Sequence, residues 1–153
     1  MPETYTQIIT HAVFAVKYRE NIITKDWCDS LHHFMSGIIT NKGATSLAVG
    51  GWKDHVHIFF GMPFNACIAD FINAVKANSS KWINHQHYLK RKFQWQEGYG
   101  AFSYANSQRD IVVKNIMNQE ELHRTRTFKE EYIKMLNDLG IDYDDKNLFE
   151  FFD

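Results

Sequence analysis

The pattern of hydrophobic and polar positions along this chain predicts short strands alternating with helices. Residues 8–16 are rich in β-branched and small apolar side chains, which is typical of a strand. A helix is predicted next, ending at Gly43, because four apolar residues follow helical spacing: Trp27, Leu31, Phe34 and Ile38. Residues 47–52 and 55–60 then read as two strands around Lys53 and Asp54, which predicts a hairpin.

The second half of the chain continues this alternation. Asn65 is a candidate cap for a helix whose apolar face runs from Ile68 to Ile83, and residues 100–104 predict a fourth strand. Ser107 with Asp110 resembles a capping box that opens a helix to about His123. Thr127 with Glu130 resembles another, opening a helix that stops at Gly140. The order β-α-β-β-α-β predicts an α+β fold, a ferredoxin-like antiparallel sheet with helices packed on it, over a single domain spanning residues 1–153.

The most informative segment is His55-Val56-His57 in the predicted third strand. Side chains alternate between the faces of a strand, so His55 and His57 point one way while Val56, Ile58 and Phe60 point to a core. Two imidazoles side by side on a rigid strand can bind one divalent cation. The alternative is a pair of surface histidines on a half-exposed strand.

Charge is unevenly distributed although the net charge is −1. Residues 71–96 contain no Asp or Glu, whereas residues 141–153 are acidic. Aromatic residues interleave the basic stretch, which favours a groove for phosphates and stacked bases over an ordinary solvated helix face. The predicted DNA-binding residues are Lys76, Lys81, Trp82, Lys90, Arg91 and Lys92.

Cys28 and Cys67 have neither metal-ligand nor redox spacing, so we expect two buried thiols in a reducing compartment. The first residues do not form a signal peptide, and no apolar run is long enough to span a bilayer. These features predict a cytoplasmic protein without membrane association.

Asn115 and Gln119 lie four apart in the helix predicted after Ser107 and therefore share a face. At this point the chain resembles the single-tyrosine transposases of the HUH endonuclease class, which move small insertion sequences as single-stranded DNA and include the REP-associated tyrosine transposases. The stretches that carry the resemblance are residues 11–19, 53–57, 76–82, 93–103, 118–119 with Glu121 and His123, and 127–131.

The resemblance implies a mechanism and an assembly. In such enzymes two histidines and a glutamine, here His55, His57 and Gln119, bind Mg²⁺ or Mn²⁺, and the ion polarises the scissile phosphate. A tyrosine one helical turn before the glutamine attacks phosphorus and forms a 5′-phosphotyrosine. The family recognises imperfect single-stranded DNA hairpins and works as a homodimer, and in several members the tyrosine helix docks on the partner's histidines.

The chain departs from the family at the position of the nucleophile, where it has Asn115. A carboxamide cannot form the covalent intermediate, so we expect strand cleavage to be lost or impaired. Three explanations remain open: decay or co-option of the gene for hairpin binding, a deliberate inactivating substitution, or a displaced tyrosine, with Tyr104 and Tyr132 as candidates.

Three other functions are weighed against this interpretation. A pure hairpin-binding module is consistent with Asn115 but has no need of a metal triad. A metal nuclease that uses activated water needs more ligands and a carboxylate, and the only one near in sequence, Asp54, is predicted to face away. A generic RNA-binding domain normally has stacking aromatics on adjacent strands, and no such pair is evident.

Overall fold

The computed structural model describes residues 2–19 and 21–149, and every structural statement below refers to these residues. Four strands form one antiparallel sheet in the order β2-β3-β1-β4: β1 Ile9–Ala15, β2 Thr45–Gly51, β3 His55–Gly61 and β4 Gly100–Ser103. The helices are α1 Lys25–Asn41, α2 Ile68–Gln86, α3 Arg109–Met117, α4 Gln119–Leu122 and α5 Phe128–Asp138. The predicted α+β, ferredoxin-like architecture is confirmed.

One face of the sheet packs against α1 and α2. Val56, Ile58 and Phe60 on β3 are fully buried there, as the alternation of the strand predicts. Their partners from the two helices include Leu31, Met35, Ile72 and Val75. This face forms the main hydrophobic core and fixes the register that sends His55 and His57 to the opposite side.

The opposite face of the sheet is covered by α3 and α5. Val112 and Ile116 of α3 pack on Phe59, and Phe128 and Tyr132 of α5 pack beside the other end of the sheet. The polar residues of β3 lie between these two apolar contacts. Both histidines therefore lie on an inner strand and on the face away from α1 and α2, as predicted from the sequence.

Two predicted helix starts and one predicted helix length are wrong. Asn65 does not cap α2, which begins after Cys67 without a side-chain cap. Ser107 lies within a short 3-10 turn, Asn106–Gln108, and α3 begins only at Arg109. The helix does not continue to His123 either, because Asn118 has φ −109° and ψ 30° and interrupts it between α3 and α4.

Three other local predictions are confirmed. Thr127 caps α5, since its Oγ1 accepts a hydrogen bond from the Glu130 amide at 3.1 Å. Gly43 follows α1 with φ +86°, a backbone conformation suited to glycine. Cys28 and Cys67 are free thiols, but the prediction that they are buried is wrong, because Cys28 is half-buried and Cys67 is exposed. Among the described residues, no helix combines the length and the apolar character needed to cross a bilayer.

Candidate metal and nucleic-acid site

The two histidines of β3 are completely enclosed. His55 is 0% and His57 1% exposed, which excludes the alternative of two surface histidines. The His55 ring stacks on Phe128 of α5 with ring centroids 3.8 Å apart, so α5 fixes its orientation. Burial of two imidazoles on a rigid central strand requires polar partners on the elements that cover them.

Those partners come from α4 and α5. Gln119 Oε1 lies 3.0 Å from His55 Nε2 and 2.9 Å from His123 Nε2. Glu131 Oε1 lies 3.1 Å from His57 Nε2, 3.5 Å from His55 Nε2 and 3.4 Å from His123 Nε2. The Gln119 amide donates to Glu131 Oε2 at 3.0 Å. We call His55, His57, His123, Gln119 and Glu131 the donor cluster.

The Nδ1 atoms of His55 and His123 each face a hydrogen-bond acceptor, and this defines which ring nitrogen carries the hydrogen. Asp54 Oδ1 lies 2.7 Å from His55 Nδ1, and the Arg126 carbonyl lies 2.8 Å from His123 Nδ1. Both Nδ1 atoms therefore carry hydrogen, and the Nε2 atoms face the oxygens of Gln119 and Glu131. The expectation that Asp54 faces away is wrong: the residue is 5% exposed and its carboxylate is turned to His55, because the tight β2–β3 connection folds it back.

His57 has a different outer partner, the buried His11 of β1. His11 Nε2 lies 2.8 Å from His57 Nδ1, and the rings stack with centroids 5.0 Å apart. The remaining nitrogen of His11, Nδ1, is buried without a hydrogen-bond partner. Each histidine of β3 is thus oriented by a second polar residue, as is usual for metal-binding imidazoles.

Charges in the donor cluster shift the pKa values of its members. Burial works against protonation of His55, but hydrogen bonds and charges from Asp54 and Glu131 outweigh it and raise the pKa to about 9. Burial lowers the pKa of His57, and burial together with His57 lowers the pKa of His11 far below its usual value. Burial opposes ionisation of Glu131, yet the charge of His57 and hydrogen bonds from the three histidines hold its pKa well below the usual range.

The chemistry of this donor set fits a divalent cation. His55, His57 and Glu131 each offer one ligand atom, and these atoms lie within 4.8 Å of one another. Metal binding requires neutral imidazoles, and in that form Glu131 and Asp54 are two negative charges that one divalent ion would balance. Two histidines and a carboxylate, with the Gln119 oxygen beside them, form a mixed nitrogen and oxygen donor set that could hold a divalent metal ion.

Sequence reasoning named two histidines and Gln119 but missed Glu131 and His123. Glu131 follows Glu130, the partner of the capping residue Thr127, in the first turn of α5, so local spacing explains it as an ordinary N-terminal acid. Glu131 lies 74 residues after His57 in the sequence, so no helical or strand periodicity links the two residues. His123 lies four residues after Gln119, and this i,i+4 relationship is the one sequence feature that indicates a shared site.

Asn115 lies on α3 beside the donor cluster. Its carbonyl oxygen accepts a hydrogen bond from the Gln119 amide at 3.1 Å, although the break at Asn118 separates the two residues into different helices. Its carboxamide is exposed and lines a cavity of about 400 Å³ between α3 and α5, which we call the α3–α5 cavity. His57, Gln119 and Glu131 form part of the wall of the same cavity.

The two candidate replacement tyrosines have different surroundings. Tyr104 lines the α3–α5 cavity, and burial together with the charge of Asp138 raises the pKa of its phenol. Tyr132 is buried against Phe128 and Phe102, and burial raises its pKa to about 12. A raised pKa reduces the phenolate fraction, and Tyr132 also lies outside the cavity lining, so Tyr104 is the better placed of the two.

The predicted DNA-binding residues divide into two groups. Lys76 is half-buried and donates to the carbonyl oxygens of Gln96 at 2.6 Å and Gly98 at 3.0 Å. The Trp82 ring stacks on Phe34 with centroids 4.8 Å apart, so it belongs to the packing of α1 on α2. The other four side chains of the predicted groove are exposed: Lys81, Lys90, Arg91 and Lys92. Helix α2 packs on the sheet face opposite the donor cluster, so the structure does not bring its basic residues into the metal site.

Comparisons with known proteins place this geometry in context. Residues 4–119 match the family described as "Transposase IS200 like". The ISDra2 transposase TnpA of Deinococcus radiodurans is 24% identical over 120 residues, which cover 75% of this chain and 86% of that protein.

Two solved structures have a similar fold. A crystal structure of a transposase from Deinococcus radiodurans R1 has a TM-score of 0.63 at 24% identity, and the match covers 78% of this chain and 96% of that one. A REP-associated tyrosine transposase bound to a REP hairpin has a TM-score of 0.55 at 13% identity, with coverage of 76% and 68%.

Proposed function

Since this chain belongs to the IS200-like transposase family, we propose that it binds single-stranded DNA hairpins at the ends of mobile elements, with a Mg²⁺ or Mn²⁺ ion in the donor cluster. The family chemistry is metal-dependent strand cleavage and rejoining through a phosphotyrosine. We infer that Asn115 abolishes or impairs this cleavage chemistry in the present chain. The whole chain acts as one unit, in the cytoplasm.

The proposal rests on the convergence of His55, His57 and Glu131 within 4.8 Å of one another, beside a cavity whose wall includes His57 and Glu131. These residues would hold the cation, with the Gln119 oxygen 3.0 Å from His55 Nε2 as a further ligand. A divalent ion there supplies Lewis acidity to a phosphate oxygen. Asp54 and His11 orient the imidazoles, and α3 presents position 115 to the bound strand.

Asn115 stands where the attacking phenol would have to be. Its carboxamide has no oxygen comparable in nucleophilicity with phenolate, and loss of a nucleophile can reduce the rate by about 10⁶-fold. We therefore expect the chain to bind hairpin DNA without forming a covalent adduct. Asn115→Tyr restores the phenol one turn before Gln119, and the substitution preserves helix propensity within a few tenths of a kcal/mol.

A gel assay with end-labelled single-stranded hairpins and Mn²⁺ tests this proposal. The unmodified protein should shift the hairpins more strongly than blunt duplex and leave them intact. Asn115→Tyr should produce a covalent protein–DNA adduct, and Asn115→Phe is the matched control that adds the ring without the hydroxyl. An adduct with the unmodified protein contradicts the proposal, and Tyr104 is then the first residue to replace.

A second candidate function is hairpin binding without any cleavage chemistry, in a protein domesticated from a transposase. The carboxamide of Asn115 is not a nucleophile, which favours binding without cleavage. The intact donor cluster favours the first proposal, because a protein that only binds DNA needs no metal site. The two are separated by Asn115→Tyr, since a domesticated binder whose site has decayed elsewhere gives no adduct. A nuclease that uses activated water needs a carboxylate near the metal, and the structure has Asp54 and Glu131 there. Cleavage without an adduct would therefore identify hydrolysis by water.

We also propose that the protein is a homodimer, as its family resemblance implies. Strands β2 and β4 lie at the two edges of the sheet, where their unpaired backbone groups can pair with another copy. Because α3 packs on Ala48 and Phe59 of its own chain, we propose that each site is assembled within one chain of the dimer. Light scattering should give twice 18.0 kDa at micromolar concentration, and a monomer mass excludes the dimer.

A further inference from the structure

Helix α5 contacts His55 through two different side chains, one charged and one aromatic. Glu131 Oε1 lies 3.5 Å from His55 Nε2. One turn earlier, the Phe128 ring lies parallel to the His55 imidazole, with centroids 3.8 Å apart and an angle of 2° between the planes. The family match covers residues 4–119, so both α5 residues lie beyond it. A segment outside the family match thus contacts a proposed metal ligand in two ways.

The hydrogen bonds of His55 do not by themselves fix the plane of its ring. Asp54 Oδ1 lies 2.7 Å from Nδ1, and Gln119 Oε1 lies 3.0 Å from Nε2. With partners at both nitrogens, the imidazole can still tilt about the line that joins them. A flat ring stacked on its face opposes this tilt, whereas a branched aliphatic side chain does not. Because a metal ion binds the nitrogen lone pair in the plane of the imidazole, this tilt determines how well His55 acts as a ligand.

Phe128 is in turn held by two aromatic rings. Tyr132 lies one turn later on α5 with ring centroids 5.9 Å apart, and the Phe149 ring lies 6.1 Å away with 24° between the planes. The rings of Tyr132 and Phe149 are 5.0 Å from each other. All three side chains are buried in one hydrophobic cluster. Close packing on this scale keeps the Phe128 ring from rotating away from His55.

Phe149 belongs to the chain that follows α5, residues 141–149, which we call the tail segment. It is the one buried residue of this segment within the described part of the chain. A short turn precedes it, in which Asp144 Oδ1 accepts a hydrogen bond from the Lys146 amide at 3.0 Å. The contact of its ring with Phe128 therefore links the tail segment to the metal site.

We propose that Phe128 is a positioning residue that sets the plane of the His55 imidazole for metal binding, and that the tail segment supports it through Phe149. This inference rests on the proposed function, because it concerns the same metal site. It gives the tail segment a role that its acidic, exposed character does not indicate.

Substitutions in the full-length protein test this role through Mn²⁺ affinity, measured from the paramagnetic resonance of the free ion. Phe128→Leu removes the flat ring, and affinity should fall about tenfold or more, as it does when other groups that orient metal ligands are lost. Phe128→Tyr keeps the ring and should bind within about twofold of the unmodified protein. Leu136→Ala is the matched control, since Leu136 is buried in the same cluster on the same helix. It should lower stability, yet the folded protein should bind Mn²⁺ normally.

A second measurement needs no metal. His55 is 0% exposed and its Nδ1 atom lies 2.7 Å from Asp54 Oδ1, so the Nδ1 hydrogen should give a downfield proton NMR resonance that exchanges slowly with water. This resonance should be broadened or lost in Phe128→Leu and kept in Phe128→Tyr and Leu136→Ala. A purely structural role of Phe128 would instead affect Phe128→Leu and Leu136→Ala alike.

Phe149→Leu tests the tail segment and remains informative if Phe128→Leu does not fold. Its Mn²⁺ affinity should fall, by less than that of Phe128→Leu, because Phe149 acts on His55 only through Phe128. Tyr143→Leu, at an exposed position of the same segment, is the control and should bind normally. Normal Mn²⁺ affinity in Phe149→Leu overturns the role of the tail segment.

Normal Mn²⁺ affinity in Phe128→Leu, or an equal loss of affinity in Leu136→Ala, overturns the positioning role of Phe128. Failure of the proposed function looks different. In that case the unmodified protein itself binds no Mn²⁺, and the Nδ1 resonance of His55 still decides whether Phe128 orients the imidazole.

Discussion

The backbone of Gly50 on β2 lies directly against the backbone carbonyl of Ile116 on α3, so closely that a Cβ atom at position 50 would overlap that oxygen. This approach seats α3 on the sheet of its own chain, with Val112 and Ile116 buried against Phe59. It also sets the position of Asn115, the residue before Ile116. The absence of a side chain at Gly50 thus determines how close position 115 comes to the donor cluster.

Gly50→Ala should therefore displace α3 and lower the stability of the protein. Backbone cannot yield as a flexible side chain can, so we expect a loss of about 1–3 kcal/mol in the free energy of unfolding. The matched control is Gly37→Ala in α1, where a Cβ meets nothing within 4 Å. That change should stabilise by about 0.5–1 kcal/mol. Urea unfolding of both variants measures the difference, and equal effects contradict the proposed role of Gly50.

Glu131 should prove as important for metal binding as the histidines. Glu131→Gln removes the carboxylate that touches three imidazoles, and we expect Mn²⁺ affinity to fall at least tenfold, with His57→Ala abolishing it. Asp54→Asn should weaken binding by about 10–100-fold by releasing His55. The bound fraction is read from the loss of the free Mn²⁺ signal in paramagnetic resonance.

The control for this series is Glu121→Gln, a carboxylate whose side chain is 62% exposed and pairs with Arg124. It should bind Mn²⁺ like the unmodified protein. If Glu131→Gln also binds normally while Gln119→Ala does not, the ligand set is the one implied by family resemblance, and Glu131 serves only as a charge partner of the histidines.

His32 should make the stability of the protein depend on pH between about 4 and 6.5. Burial lowers the pKa of His32 to about 4, and its Nε2 atom has no hydrogen-bond partner. The unfolded chain binds a proton at this residue below 6.5 and the folded chain does not. The stability that neutral His32 contributes is therefore fully present above pH 6.5 and is lost as the pH falls through 4. The loss in the free energy of unfolding is up to about 3 kcal/mol.

Urea unfolding at several pH values between 4 and 7 measures this dependence. His32→Gln removes the titrating group and should flatten the decline in stability on acidification. The exposed neighbour His33 provides the control, since His33→Gln should keep the slope of the unmodified protein. If the free energy of unfolding falls equally with pH in all three proteins, other buried histidines, such as His11, determine the stability in acid.

Lys76 and Lys81 should behave differently although both belong to the predicted basic segment. Lys76→Met removes the ammonium that donates to the carbonyl oxygens of Gln96 and Gly98, and stability should fall by about 1–3 kcal/mol. Lys81→Met at an exposed position should leave stability within about 0.5 kcal/mol. The latter should instead weaken hairpin binding and reduce the slope of log K against log salt by about 1.

The salt dependence of hairpin binding, measured for both variants beside the unmodified protein, separates the two roles. For the unmodified protein we expect a slope of roughly −2 to −3, which corresponds to three or four neutralised phosphates on single-stranded DNA. An unchanged slope in Lys81→Met, or a preference for blunt duplex, counts against the exposed lysines as the DNA-binding groove.

Local periodicity is enough to predict the sheet and the placement of His55 and His57, because burial of Val56, Ile58 and Phe60 fixes which face the imidazoles take. It is not enough for the interruption at Asn118, since Asn and its neighbours have acceptable helix propensities and tertiary packing determines the break. The contact of Glu131 with His57 is also invisible in the sequence. It depends on how α5 docks on the sheet, which no short-range pattern encodes.

The donor cluster draws its atoms from β3, α4 and α5, and α5 is the last of these to leave the ribosome. The cluster therefore cannot exist until residue 131 has been synthesised and its helix has docked. A cation that binds only this finished arrangement stabilises it by mass action, by about 2.7 kcal/mol at a concentration 100 times the dissociation constant. On the proposed metal site, the supply of divalent ions in the cell would thus govern how long newly made copies resist proteolysis, before any DNA is encountered.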